Sequence, residues 1–137
     1  MAYFSDNFDR ANGGLGSNWT TINSYAAPQI VSSQASYTSD YTFAKAVYNG
    51  ASFSSKQYAE FATYNTTDGT CDVIIAASGY SNSSIFCCYF LRLYYYFQSW
   101  QIYRVDNGTE TLIAGGSGSG TSTTISNGDV FRLALNS

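Results

Sequence analysis

Trp100-Gln101-Ile102-Tyr103-Arg104-Val105, then Asp106-Asn107-Gly108, then Thr109-Glu110-Thr111-Leu112-Ile113 is the stretch from which the fold is read. Two alternating apolar and polar runs flank an Asn-Gly pair, and that pair accepts the positive φ angles of a tight hairpin turn. On either side of this hairpin, aromatic and β-branched runs are broken at short intervals by Gly, Asn, Asp and Ser, the spacing of a β-sandwich or barrel. The expected strands are Tyr3–Phe8, Trp19–Asn23, Gln29–Val31, Ala35–Tyr37, Phe43–Tyr48, Gln57–Tyr64, Cys71–Ala77, Ile85–Phe97, Trp100–Val105, Thr111–Ala114 and Val130–Leu135. A second hairpin is expected between Cys71–Ala77 and Ile85–Phe97, with Ser78 to Ser83 as its loop. No helix of useful length is expected; one short turn fits around Ser54-Ser55-Lys56.

The chain of 137 residues is long enough to bury a core without disulfides or metals. Gly115-Gly116-Ser117-Gly118-Ser119-Gly120 has the composition of a linker. The remaining segment, Thr121 to Ser137, holds one good strand and is too short to fold alone, so a single domain over residues 1–137 is expected. The fold class expected is all-β: an antiparallel β-sandwich of the jelly-roll type.

Composition narrows the function. Aromatics make up 18% of the residues and charged residues only 11%, so the surface is polar but weakly charged. Such surfaces suit glycan contacts and subunit packing. The six Lys and Arg lie singly along a chain of net charge −3, whereas nucleic-acid binding needs clustered cations. No nucleic-acid partner is expected. There is no His, which removes the commonest general base and metal ligand together. The opening Met1-Ala2-Tyr3-Phe4-Ser5-Asp6 has neither the basic nor the apolar region of a secretory signal, and no run is long enough to span a membrane. Synthesis in a cytoplasm, no export by the general secretory route and no membrane insertion are the corresponding expectations.

Three cysteines cannot close a disulfide framework, and Cys87 and Cys88, adjacent on a strand, point to opposite faces. Small buried or half-buried thiols are expected, with Cys71 bridged to Cys87 or Cys88 as the alternative. No Cys-x-x-Cys pair offers a zinc site, and the Gly/Ser run lacks the Lys and helix of a phosphate loop. The contact candidates are Tyr94, Tyr96, Trp100 and Tyr103. On a strand, Tyr94 and Tyr96 face one way and Tyr95 and Phe97 the other. One aromatic set then serves sugar stacking or subunit packing, unless one set fills the core and the other lies under a loop. Four Asn-x-Ser/Thr sequons, at Asn18, Asn65, Asn82 and Asn107, are what chance gives in a chain so rich in these residues.

Four segments in order carry a family resemblance: the run from Asp6-Asn7-Phe8-Asp9-Arg10 through Leu15 to Trp19, then Gln57-Tyr58-Ala59-Glu60-Phe61, then Trp100 to Val105, then Gly128-Asp129-Val130-Phe131-Arg132-Leu133. The chain resembles the concanavalin A-like lectin/glucanase superfamily, in particular the laminin-G-like jelly-roll modules of bacterial and phage proteins. The opening run is the most specific part. It is expected to lead the first strand around to Trp19 as a core anchor, with Leu15 plugging the sandwich edge and Arg10 either pairing with Asp6 and Asp9 or simply solvated. The resemblance also implies a strand pair and a closing strand beyond Leu135. Either the sequence extends past Ser137 or the sandwich closes differently, for instance with a strand from a neighbouring copy.

The glucanases of that superfamily work with paired carboxylates on one strand. Here the only two Glu, Glu60 and Glu110, have no carboxylate two positions away, so no glycosidase site is expected. Calcium is the one metal for which loop carboxylates are present, Asp6 and Asp9 first, although Asp68 and Asp106 read more simply as turn residues. The expected function is therefore non-enzymatic: a bacteriophage virion-surface protein, capsid decoration or fibre, acting through assembly with other subunits (including its own copies) and through adhesion to cell-surface polysaccharide. The alternatives are a carbohydrate-binding module of an extracellular bacterial protein, and a filament or cell-surface subunit assembled by strand exchange.

Overall fold

The computed structural model describes residues 4–22, 28–36, 46–50, 56–63, 70–80, 85–115 and 121–135, with backbone alone at 76–80, 85, 86, 121 and 122. Among these residues there is no helix, and the strand pairings with a defined register are antiparallel. In chain order the strands are β1 (Gly13–Gly14), β2 (Trp19–Thr21), β3 (Gln29–Val31), β4 (Gln34–Ser36), β5 (Ala46–Tyr48), β6 (Gln57–Ala62), β7 (Thr70–Tyr80), β8 (Ile85–Tyr94), β9 (Ser99–Asp106), β10 (Thr109–Ala114), β11 (Thr121–Ser122) and β12 (Val130–Leu135). The fold is all-β and sandwich-like. Contacts group the chain into two compact units, residues 1–54 with 80–84 and residues 55–79 with 85–137.

In the first unit, β1, β3 and β4 form one small sheet and β2 pairs with β5. Ser32 and Ser33 turn the chain between β3 and β4 with φ of 52° and 60°, a conformation that costs any residue with a Cβ. The opening loop braces that turn: Asn12 Oδ1 accepts from the Ser32 amide (2.9 Å), and Ser33 Oγ donates to Asp9 Oδ1 (3.0 Å). The strand expected at Tyr3–Phe8 does not form over its described part. Phe8 has φ of +55° and its amide donates to the Asp6 side chain, so the local Asx turn wins over extension.

In the second unit, β10-β9-β8-β7 form a sheet, with β11 on the same side of β9 as β10 but further along it. The Asn-Gly turn is as expected: Asp106 faces Thr109, and Asn107 and Gly108 have φ of 49° and 80°. Directly opposed residues point to the same face, so Leu91 with Ile102 and Leu93 with Trp100 line one side of the sheet. Ile75 of β7 belongs to the same cluster, and against that side pack Ile125 from the segment before β12 and Phe61, Phe131, Leu133 and Leu135 from the paired strands β6 and β12. This is the sandwich core. Cys88, Phe90 and Val105 form a smaller buried cluster with Ile74 and Tyr103, the alternate residues of the same strands. Gly115 ends β10 where a Cβ would lie 2.5 Å from the Trp100 carbonyl oxygen, so only glycine passes.

All three cysteines are free thiols. Cys71 is beside Tyr95, at the far end of β8 from Cys87 and Cys88, which rules out the alternative bridge on distance.

Leu93 has no exposed surface, and its truncation leaves a cavity between two layers. Leu93→Ala is expected to lower the unfolding free energy by about 3 kcal/mol. Ile113→Ala, at a side chain 50% exposed, should cost less than about 1 kcal/mol. Urea unfolding of both variants measures the difference.

Candidate functional site

The site is the turn that joins β8 to β9. The strand expected over Ile85–Phe97 ends at Tyr94, and Tyr95 to Gln98 form a turn closed by the Gln98 amide donating to the Tyr95 carbonyl (3.2 Å). Strand alternation therefore stops at Tyr94. Tyr95 turns into the core beside Leu93, whereas Tyr96 and Phe97 both go to solvent, 74% and 55% exposed. The two exposed rings stand perpendicular, 5.1 Å apart, and Phe97 also meets Tyr94 edge-on at 6.4 Å.

The base of the turn is fixed on both sides. The Tyr95 side chain bonds the Cys71 thiol; burial pushes the tyrosine well above its usual range and the thiol up to about 11. Both groups stay neutral, so Cys71 is a packing residue and a poor nucleophile. On the other side Gln98 Nε2 donates to the Tyr95 carbonyl (2.7 Å), and Gln98 Oε1 accepts from the Ile125 amide (2.6 Å).

A polar network continues from Tyr94 over the face of the sheet opposite the core. Arg92 donates to both oxygens of Asp72 (2.8 and 2.7 Å), lies 3.9 Å from Glu110, and stacks over the rings of Phe90 and Tyr103. The Asp72 carboxylate holds the Arg92 guanidinium above its already high range. Tyr103 donates to Gln101 Oε1 (2.6 Å) and also meets the Tyr94 hydroxyl; burial, then that bond, pushes it up to about 12. At neutral pH Tyr103 is therefore protonated, and the charge of Arg92 is met by Asp72.

Of the four expected contact residues, Tyr94 and Tyr103 lie together on this face and Tyr96 stands beyond them on the turn. Trp100 goes elsewhere: opposite Leu93, it packs against the core. The turn adds Phe97 and Gln98. Phe97 belongs to the aromatic run already offered by the sequence, whereas nothing in the residue type of Gln98 announces it, since Gln is not a residue that favours positive φ. Asp72 and Arg92 are a cross-strand pair legible only once β7 and β8 are aligned.

The two carboxylates expected for calcium are otherwise engaged. Asp6 takes bonds from the Phe8 amide (2.9 Å), Arg10 (2.6 and 3.0 Å) and Trp19 Nε1 (3.0 Å), and Asp9 takes the Ser33 hydroxyl. Arg10 thus pairs with Asp6 and also donates to the Leu15 carbonyl (2.7 Å), across an open depression of about 360 Å³ bounded by Phe4, Leu15 and Trp19. Among the described residues no group of three or more His, Cys, Asp or Glu converges as a metal site.

No protein-family model, curated protein or solved structure matches the chain.

The hydrogen bond from Arg10, with those from Phe8 and Trp19, lowers the Asp6 carboxyl to about 2. A folded-state value below the unfolded one stabilises above the unfolded value and is lost as pH falls through the folded one. Acid titration should therefore show a loss of stability between about pH 4 and pH 2 that is missing in Asp6→Asn. At pH 7 that variant should be less stable by about 1–2 kcal/mol, allowing for screening at exposed Arg10.

Proposed function

We propose that the protein is a non-enzymatic contact protein of a bacteriophage particle, a capsid-decoration or fibre subunit on a lectin-like jelly roll, acting through assembly and glycan adhesion. The observation that carries the contact reading is the aromatic turn: Tyr96 and Phe97 stand in solvent on a base held by Tyr95 and Gln98. Large rings held in solvent at fixed geometry lose little entropy on binding, which is what a contact element needs.

A non-enzymatic role is supported by the acids. Both Glu residues face arginines, Glu60 bonding Arg132 at 2.7 Å and Glu110 lying 3.9 Å from Arg92, on separate sheets. They form no pair across a common cleft, and the chain has no His to act as a base. The virion setting is supported by the resemblance of Asp6–Trp19, Gln57–Phe61, Trp100–Val105 and Gly128–Leu133 to phage and bacterial jelly-roll modules.

The second reading is a carbohydrate-binding module of an extracellular bacterial protein. Patch size favours it: the exposed parts of Tyr96 and Phe97 amount to about 300 Å². A stable protein interface takes about 800 Å² from each partner. The rings alone thus match one or two sugar units better than a subunit.

Light scattering of the native protein and retention on insoluble cellulose, chitin and bacterial cell-wall polysaccharide test both readings. A large regular assembly supports the particle reading, and a monomer retained on a glycan supports the module. Tyr96→Ala with Phe97→Ala is expected to reduce retention at least tenfold with little change in stability. Retention and assembly both unaffected by that double variant would remove the turn as the contact element.

A further inference from the structure

We infer that Gln98 is the positioning residue of the aromatic turn, setting the geometry of Tyr96 and Phe97 without itself being the contact. Its functional meaning rests on the contact reading above, but its geometry does not. Gln98 has φ of +48°, a region that costs any residue with a Cβ and that glycine or asparagine occupies more readily. Backbone geometry alone thus does not favour glutamine. The side chain does what those residues cannot. Its Nε2 donates to the Tyr95 carbonyl at the start of the turn (2.7 Å), and its Oε1 accepts from the Ile125 amide of another segment (2.6 Å).

The backbone of the same residue repeats the pattern. Its amide donates to the Tyr95 carbonyl (3.2 Å), and its carbonyl accepts from the Thr123 amide (2.7 Å). One residue therefore ties the turn to itself and to the 123–125 segment through four bonds. Both ends of this clamp reach the core, because Tyr95 and Ile125 are members of the same buried cluster. Tyr96 and Phe97 are the two residues between the anchors. Strained backbone persists where its surroundings over-determine it, and such positions gather where geometry has to be held in advance. Here the geometry held is that of the perpendicular pair of exposed rings.

Asparagine tolerates the φ but is one methylene too short to span from Tyr95 to Ile125. Glutamate keeps the length, and its charge state selects the outcome. Ionised, it presents only acceptors, one of them to the Tyr95 carbonyl. Protonated, it offers one O–H donor and one acceptor, as glutamine does.

The test is hydrogen exchange and NMR relaxation on wild type, Gln98→Asn, Gln98→Gly and Gln98→Glu, with polysaccharide retention alongside. In Gln98→Asn and Gln98→Gly the Ile125 amide should exchange at least tenfold faster while the Leu93 amide is unchanged. Order parameters at Tyr96 and Phe97 should fall from about 0.85 to below about 0.6. Retention should drop severalfold with both rings still present. Gln98→Glu should match the asparagine variant at pH 7 and recover wild-type order when its carboxyl is protonated. Unchanged order at Tyr96 and Phe97 in the asparagine and glycine variants overturns the inference. So does a fall in the global urea midpoint in step with the loss of order, which would make Gln98 a core residue. If the alanine variants of Tyr96 and Phe97 leave retention intact while the Gln98 variants loosen the turn, the contact reading fails and the positioning role stands.

Discussion

Seven consecutive cross-strand pairs, from Cys88 opposite Val105 to Tyr94 opposite Ser99, hold β8 against β9. With the register set, alternation distributes every side chain: Leu91, Leu93, Trp100 and Ile102 go to one face, and Cys88, Phe90, Arg92, Tyr94, Gln101, Tyr103 and Val105 to the other. A slip of one residue would exchange the two sets and put Arg92 into the sandwich core. The tight Asn107-Gly108 turn pins the far side of β9, and the turn at Tyr95–Gln98 pins the near side. Leu93, fully buried, and Leu133 across the layer gap depend on that register for their partners.

The two faces solve the problem of burial differently. The core face is almost wholly hydrocarbon and is closed by β6 and β12. The other face carries buried or half-buried polar groups, and each has a partner: Gln101 with Tyr103, Arg92 with Asp72, Tyr103 with Tyr94. Among the described residues no buried side-chain nitrogen or oxygen is left without a hydrogen bond. Arg92 over Phe90 and Tyr103 combines the two modes, since its charge is met by Asp72 and its planar face covers the rings. The exposed turn is then the point at which the aromatic run Tyr94 to Phe97 leaves this arrangement and meets solvent.

In the first unit Asp6 has the corresponding role on a smaller scale. One carboxylate gathers a backbone amide, a guanidinium and an indole N–H, and so sets the path of the opening loop toward β2. Trp19 is held from a second direction by Phe4, Phe8 and Tyr48, whose rings lie within about 6 Å of it.

Alternation and turn chemistry are local, so the all-β class, the Asn107-Gly108 hairpin, and strands such as Gln29–Val31 and Val130–Leu135 are legible in the chain to the residue. Local spacing also made Arg10 a candidate partner for Asp6 and placed Cys87 and Cys88 on opposite faces. Contacts between distant segments settled the rest. The strand read through Phe97 stops at Tyr94 because Gln98 is bonded to Ile125, 27 residues away. Trp100, a contact candidate by type, turns inward because its cross-strand neighbour is Leu93 and the hydrocarbon of the core is on that side. Phe97 became exposed for the converse reason, since a turn does not alternate. Side-chain chemistry predicts what a residue can do, but which solvent it meets is set by the register and by the segments that pack around it.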